Sequence, residues 1–425
     1  MNKIKKIHAR QILDSRGNPT VECDLTLSDG AFGRASVPSG ASTGKHEAIE
    51  LRDNNKNRFL GKGVTKSVKN INKIIALQII DKEYNNINEF DQDLLKIDGT
   101  ENKSIMGANS ILALSLSFAK ALAKSNKKNL NEFLSINNDF ILPVPMINVI
   151  NGGAHANNKI DFQEFMIAPV GANSFSEALR YGCEVFYSLK SILKKNNYNT
   201  NVGDEGGFAP DISSSKKTIE LILKAIELAG YKPGIDFKLS LDVASTEFFN
   251  ENKYHLKSEG LTLNSDQMID YLKDLIISYP IYSIEDCLSE DDWDGWKNIT
   301  AEIGDSIQLI GDDLFVTNIN RLQKGINLEI ANSILIKLNQ IGSLSETLSV
   351  IDLAKNNNYS YIISHRSGET EDTTISDLSV ASSSGQIKTG SLTRTDRISK
   401  YNQLLRIEEK LGKNAKYAGF SILKD

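Results

Sequence analysis

Six short apolar runs, each closed by an ionisable residue and followed by a helix-length segment, constrain this chain more than any other feature. They are FKLSL before Asp242, IYSI before Glu285, IQLI before Gly311-Asp312, ILI before Lys337, YIIS before His365, and QIK ending in Lys388. The steps between those polar residues are 43, 27, 25, 28 and 23, spacings that suit successive βα units. Upstream, ILPVPMINVINGGAHANN and KIDFQEFMIAPVGA read as two strands around a glycine-rich turn. Helical segments follow near 174–195 and 216–229, separated by TNVGDEGGFAP. Two strands and then six βα units predict a closed eight-stranded β/α barrel over residues 140–425. In such a barrel the site gathers at the C-terminal ends of the strands.

The run SILIKLNQIG, residues 333–342, reads as a strand buried on both faces, with Lys337 in its middle. A buried ammonium is costly unless it is paired or gives up its proton. A lone lysine of this kind usually snorkels to water; its five ionisable companions argue for a shared site instead.

Residues 1–135 read as a separate α+β unit. Strands are expected at 3–9 and 20–27, where Val21, Cys23, Leu25 and Leu27 alternate with polar residues, and at AFGRASV. Helices are expected at roughly 64–80, 88–96 and 104–124, and residues 124–139 read as the connection between the two units. Between the third strand and the first helix lies VPSGASTGKHE. It is not a phosphate-binding P-loop: three residues separate its glycines rather than four, and His46 follows the lysine where Ser or Thr is needed. A lid whose hydroxyls reach a ligand is the better reading.

Composition excludes several classes. A net charge of −5 argues against nucleic acid as a partner. Cys23, Cys183 and Cys287 are few and scattered, which suits a reducing compartment and no disulfide framework. The N-terminus lacks the apolar core of a signal peptide, and no run approaches a membrane span.

The residue types at the strand ends describe a chemistry. Asp242, Glu285 and Asp312 are three carboxylates that would repel one another without a cation, and oxygen donors alone favour Mg²⁺. Opposite them stand Lys337, His365, Arg366 and Lys388. Arg366-Ser367 suits a phosphate, the guanidinium fork pairing with its oxygens. Glu164 and Glu205 add carboxyl groups not needed as ligands, either of which could act as a general acid if burial raises its pKa. Together these describe proton abstraction beside a metal-held carboxylate, followed by loss of a leaving group.

Long motifs then carry a family resemblance: SVPSGASTGKHEAIELRD, INGGAHANN, DFQEFMIAP, GDEGGFAP, LDVAS, IED, GDDLFVTN, LIKLNQIG, SHRSGET and IKTG. From ILDSRGNPTVE to about residue 405 the chain resembles the enolase (phosphopyruvate hydratase) family. The resemblance implies an N-terminal α+β domain and a TIM-like barrel of order ββαα(βα)6. It also implies reversible dehydration of 2-phosphoglycerate to phosphoenolpyruvate in glycolysis and gluconeogenesis. By motif, Lys337 resembles the base at C2, with Lys388 beside it, and Glu205 the acid on the 3-hydroxyl, with Glu164 assisting. Asp242, Glu285 and Asp312 resemble the ligands of a first Mg²⁺, and Ser42 a ligand of a second that binds with substrate. Arg366 and Ser367 resemble a phosphate clamp, and His155, Gln163 and His365 line the pocket. A homodimer or higher oligomer in the cytoplasm is implied, which does not exclude secondary surface display or secretion.

Cys287 departs from the family's usual Gly or Pro after IED, and in an extended strand it would share a face with Glu285. His8 and His255 match no motif and read as structural or surface residues. Two rivals are an acid-sugar dehydratase of the same superfamily and a barrel that only binds partners. The glycine lid, Arg366-Ser367 and the paired lysines favour the phosphorylated substrate over the first. No expected charged residue is missing, which disfavours the second.

Overall fold

A computed structural model describes residues 3–40, 44–135 and 139–424. Strands β1 (Ile4–Leu13), β2 (Pro19–Leu27) and β3 (Phe32–Ser36) form an antiparallel meander. The alternation in β2 decides which face is covered: Val21, Cys23, Leu25 and Leu27 are at most 1% exposed, while Glu22, Asp24 and Thr26 are only partly buried. The helix Ala108–Ser125 lies on that covered face and is buried nearly all round. Its approach is backbone to backbone, since a Cβ on Gly33 would lie 1.9 Å from the Ser117 carbonyl oxygen. This helix starts four residues later than its composition suggests, because Gly107 takes φ +92° and forms its N-terminal boundary. The connection between the units is not featureless: Leu130–Leu134 is a short helix held by a capping box from Asn129 and Glu132.

The second unit is a closed barrel. Its strands are β4 (Val144–Asn151), β5 (Glu164–Ala168), β6 (Lys238–Asp242), β7 (Ile281–Glu285), β8 (Gln308–Gly311), β9 (Ser333–Ile336), β10 (Ser360–Ser364) and β11 (Gln386–Lys388). β5 runs antiparallel to both β4 and β6, and every other pairing is parallel, including β11 with β4. Helices Phe175–Lys195 and Ser215–Leu228 follow β5, and one principal helix follows each later strand, giving the expected ββαα(βα)6 order. Met146, Met166, Ile310, Leu335 and Ile362 fill the barrel interior. The strand carrying Lys337 is shorter than its apolar run. It ends at Ile336; the Lys337 N–H is taken by the Thr317 hydroxyl at 2.9 Å, and Leu338–Ile341 turns into a helix.

The two units interlock near the barrel mouth. Ser39 and Gly368 exchange backbone hydrogen bonds at 2.7 and 2.9 Å, and the Lys103 ammonium reaches Glu346 at 3.0 Å. Asp91, fully buried on the helix Ile87–Asp98, accepts the Ser345 N–H at 2.9 Å near the start of the barrel helix Leu344–Asn356. Burial pushes its carboxyl up to about 6. An unfolded aspartate titrates near 3.9, so between about pH 4 and pH 6 the unfolded chain loses this proton before the folded one does, and stability falls as pH rises. Asp91→Asn keeps an acceptor without the charge. Thermal midpoints across this range should show the variant equal to wild type below about pH 4 and more stable, by on the order of 2–3 kcal/mol, above about pH 6. A variant less stable than wild type at neutral pH would contradict this account.

Candidate active site

The strand directions place the chemistry at one end. Asp242, Glu285 and Lys388 are the last residues of β6, β7 and β11, and Asp312, Lys337 and His365 directly follow β8, β9 and β10. Because β5 runs the opposite way, its first residue, Glu164, comes to the same end, in register with Asp242. Eleven of the thirteen residues expected from the sequence wall one pocket there; Glu285 lies beneath Lys388 instead, and Ser42 lies outside the described residues.

Lys388 organises the pocket floor. Its ammonium donates to Glu285 at 2.8 and 2.9 Å and to Asp242 at 3.0 Å, and sits 3.1 Å from Glu164. Burial alone would lower its pKa, but the surrounding carboxylates, Asp242 foremost, raise it well above the usual lysine value. Lys337 makes a close ion pair with Asp312, whose other oxygen accepts from Gln340 at 2.9 Å. That pair keeps Lys337 raised against its burial and Asp312 lowered against its own. Asp242 also accepts from Gln163 at 3.0 Å. The three expected metal ligands are therefore drawn to two different ammonium groups. Burial, and next the Asp242 charge, push Glu285 up to about 8, so the cluster carries more negative charge than it readily holds. Oxygen-only donors with surplus negative charge fit a hard divalent cation such as Mg²⁺.

A second acidic group was not foreseen. Oxygens of Asp286, Asp312 and Asp313 lie within 4.8 Å of one another. The Asp286 carboxylate accepts the N–H groups of Asp312 and Asp313, each at 2.9 Å, and so ties the end of β7 to the end of β8. Burial raises both Asp286 and Asp313, the latter to about 8. The sequence signal was their position immediately after two expected ligands. Asp286 takes φ +41°, which turns the chain away from the strand direction. Cys287 therefore does not share the Glu285 face; it is fully buried in the apolar core, and burial raises its thiol.

Across the pocket, Glu164 and Glu205 face His155, whose Nδ1 is 3.5 Å from one and 3.7 Å from the other. Asn148 donates to Glu205 at 3.1 Å, and His365 Nε2 lies 3.5 Å from it. Burial and the neighbouring Glu205 charge raise Glu164 well above the carboxylate range. Burial works against the charge on Glu205 too, but His155, His365 and Arg397 outweigh it and lower this group. The two carboxyl groups are thus pushed apart, Glu164 toward the protonated form and Glu205 toward the charged one. Burial lowers both His155 and His365, against the Glu205 charge that raises them.

Arg366 is held end-on by Glu47, a residue of the glycine-loop segment, through two contacts of 3.0 Å. Asn339 accepts from the same guanidinium at 2.9 Å. Ser367 is buried beside it on the pocket wall. Glu47 and Asn339 also escaped the sequence reading, since neither sits at a strand end. His8 is exposed and His255 contacts Thr262, and neither lines the pocket.

Removing the Lys388 ammonium strands buried carboxylates, a loss of about 3–5 kcal/mol for broken buried pairs. Lys388→Met should therefore lower the thermal midpoint strongly in chelator. Added Mg²⁺ should recover more of the loss in the variant than it adds to wild type. Equal midpoints for both proteins in chelator would refute the counter-ion role.

Two family models match. The enolase N-terminal domain covers residues 4–134, and the enolase C-terminal TIM barrel domain covers residues 139–425. With both matches spanning nearly the whole sequence, on a barrel of the expected strand order, the chain belongs to the enolase family.

Proposed function

We propose that this chain catalyses the Mg²⁺-dependent, reversible dehydration of 2-phosphoglycerate to phosphoenolpyruvate, a carbon–oxygen lyase step of glycolysis and gluconeogenesis. One observation carries the reading: Lys337 and the buried Glu164–Glu205 pair line a single pocket, with the Lys388 ammonium 3.1 Å from Glu164. An elimination needs a base at one carbon and a proton donor at the leaving oxygen of the next.

In this reading Arg366 and Ser367 take the phosphate. Asp242, Glu285 and Asp312 would hold the first Mg²⁺, and Ser42 would be a ligand of a second that binds with substrate. When bound, Mg²⁺ supplies positive charge where electrons accumulate on the substrate carboxylate. Lys337 takes the C2 proton; it can do so only when Asp312 no longer fixes a proton on it. Lys388 stays beside it as a cation. Glu205 protonates the departing 3-hydroxyl and draws its proton from Glu164. Gln163, His155 and His365 complete the wall. Residues 1–135 act as a cap on the barrel of residues 140–425. The working form is a homodimer or higher oligomer in the cytoplasm, with surface display as a secondary location.

The enol-phosphate product absorbs in the ultraviolet, which gives a direct assay. Purified protein with 2-phosphoglycerate should develop that band with Mg²⁺ and lose it with chelator. Lys337→Ala should reduce turnover by roughly 10²–10⁴-fold, the usual worth of a general base. No band from folded protein with Mg²⁺ present would reject the assignment and bring acid-sugar substrates forward.

A further inference from the structure

Arg397 touches three parts of the site from behind. It is the third residue of the helix Thr395–Leu411 and is fully buried. Its Nη1 contacts His365 Nδ1 and the Arg366 carbonyl oxygen, each at 2.5 Å. Its Nη2 donates to the carbonyls of Ser367 at 2.6 Å and Asp204 at 3.1 Å. Asp396 balances its charge through Nε at 2.8 Å. Room for this side chain depends on Gly390, where a Cβ would lie 2.7 Å from Arg397 Cδ and 2.8 Å from the Glu205 carbonyl oxygen.

A guanidinium only donates hydrogen bonds. His365 Nδ1 must therefore accept, and a neutral ring then carries its single proton on Nε2. That nitrogen is the one 3.5 Å from Glu205 Oε2. Hydrogen bonds of catalytic groups are often long before substrate binds and tighten afterwards. We propose that Arg397 is a positioning residue that locks His365 in the Nε2–H tautomer, so that the ring donates to Glu205 and never accepts from it.

The proposal rests on Glu205 being the acid of the reaction above. In that step the Glu205 proton passes to the departing hydroxyl oxygen. The carbon–oxygen bond breaks with its electron pair on that oxygen, water leaves, and Glu205 remains as carboxylate. A donor aimed at Oε2 stabilises that carboxylate and makes Glu205 a stronger acid. In the opposite tautomer a lone pair would face Oε2 and hold the proton back. The other groups facing Glu205 are His155, Glu164 and Asn148, with the Lys388 charge beyond them. Of these, Asn148 donates through its amide, and among the described residues no protein donor is fixed against His155 Nδ1.

The test begins with the full-length wild-type chain labelled with ¹⁵N-histidine, its five histidines giving a tractable spectrum. His365→Gln identifies the resonances. We expect His365 at neutral pH to show an unprotonated Nδ1 and a protonated Nε2; a protonated Nδ1 overturns the proposal. This reading does not depend on any substrate. Arg397→Met should then mix the tautomers and lower kcat on 2-phosphoglycerate by about 100-fold, with KM changed by less than about three-fold. Arg397→Lys, which keeps one donor, should recover most of the rate, and its tautomer should follow the rate. A folded Arg397→Met variant with unchanged kcat overturns the proposal. If that variant does not fold, the wild-type tautomer and the Lys variant decide. If wild type itself shows no turnover, the functional reading fails while the tautomer result stands on its own.

Discussion

The structure depends on how buried negative charge is matched at the barrel mouth. Asp242, Glu285 and Glu164 share one ammonium, from Lys388, and Asp312 has another, from Lys337. None of these carboxylates is more than 6% exposed, so water cannot stabilise them. The arrangement is tolerable because every anion has a cation within hydrogen-bonding distance. It is also readily exchanged, because the same oxygens suit a hard cation. Stability of the pocket and affinity for a metal are therefore set by one group of atoms. This explains why both lysines lie at strand ends, where the backbone fixes them, and not on loops.

The reversed strand β5 gives the barrel its chemical asymmetry. In an all-parallel barrel every strand would deliver its C-terminal residue to the mouth. Here β5 delivers its N-terminal residue, Glu164, and the turn before it delivers Gln163 and His155. Glu205 lies between the two helices that follow, in a loop pinned by Arg397 through Asp204 and by the backbone of Ser391. The side of the pocket bearing Glu164 and Glu205 is thus built by the irregular start of the barrel, and the side bearing Glu285, Asp312 and the two lysines by its regular repeats.

Much of this was legible from the chain alone, for a physical reason. A βα repeat writes itself as an apolar run with a polar terminus, and strand ends are where such a barrel must keep its functional groups. The run around Lys337 misled only in length, because apolar residues continue from β9 into the helix Leu338–Ile341 without a break in hydrophobicity. The short helix Leu130–Leu134 was hidden by polar composition, although Asn129 and Glu132 carried its capping signal. Asp286, Glu47 and Arg397 act through backbone groups or through partners distant in sequence, and no periodicity marks such contacts. The left-handed turn at Asp286, which decides where Cys287 points, is likewise absent from any strand pattern.

The ring of strands closes where β11 meets β4, residues at opposite ends of the barrel sequence. Lys388 is the last residue of that closing strand. During folding the hairpin of β4 and β5 can form locally, but the β11 pairing must bring together segments separated by most of the unit, the slowest kind of contact to make. Asp242, Glu285 and Glu164, brought to the mouth by other strands, gain the ammonium they share only from this strand. The backbone pairing that closes the ring therefore also supplies the counter-charge of the pocket.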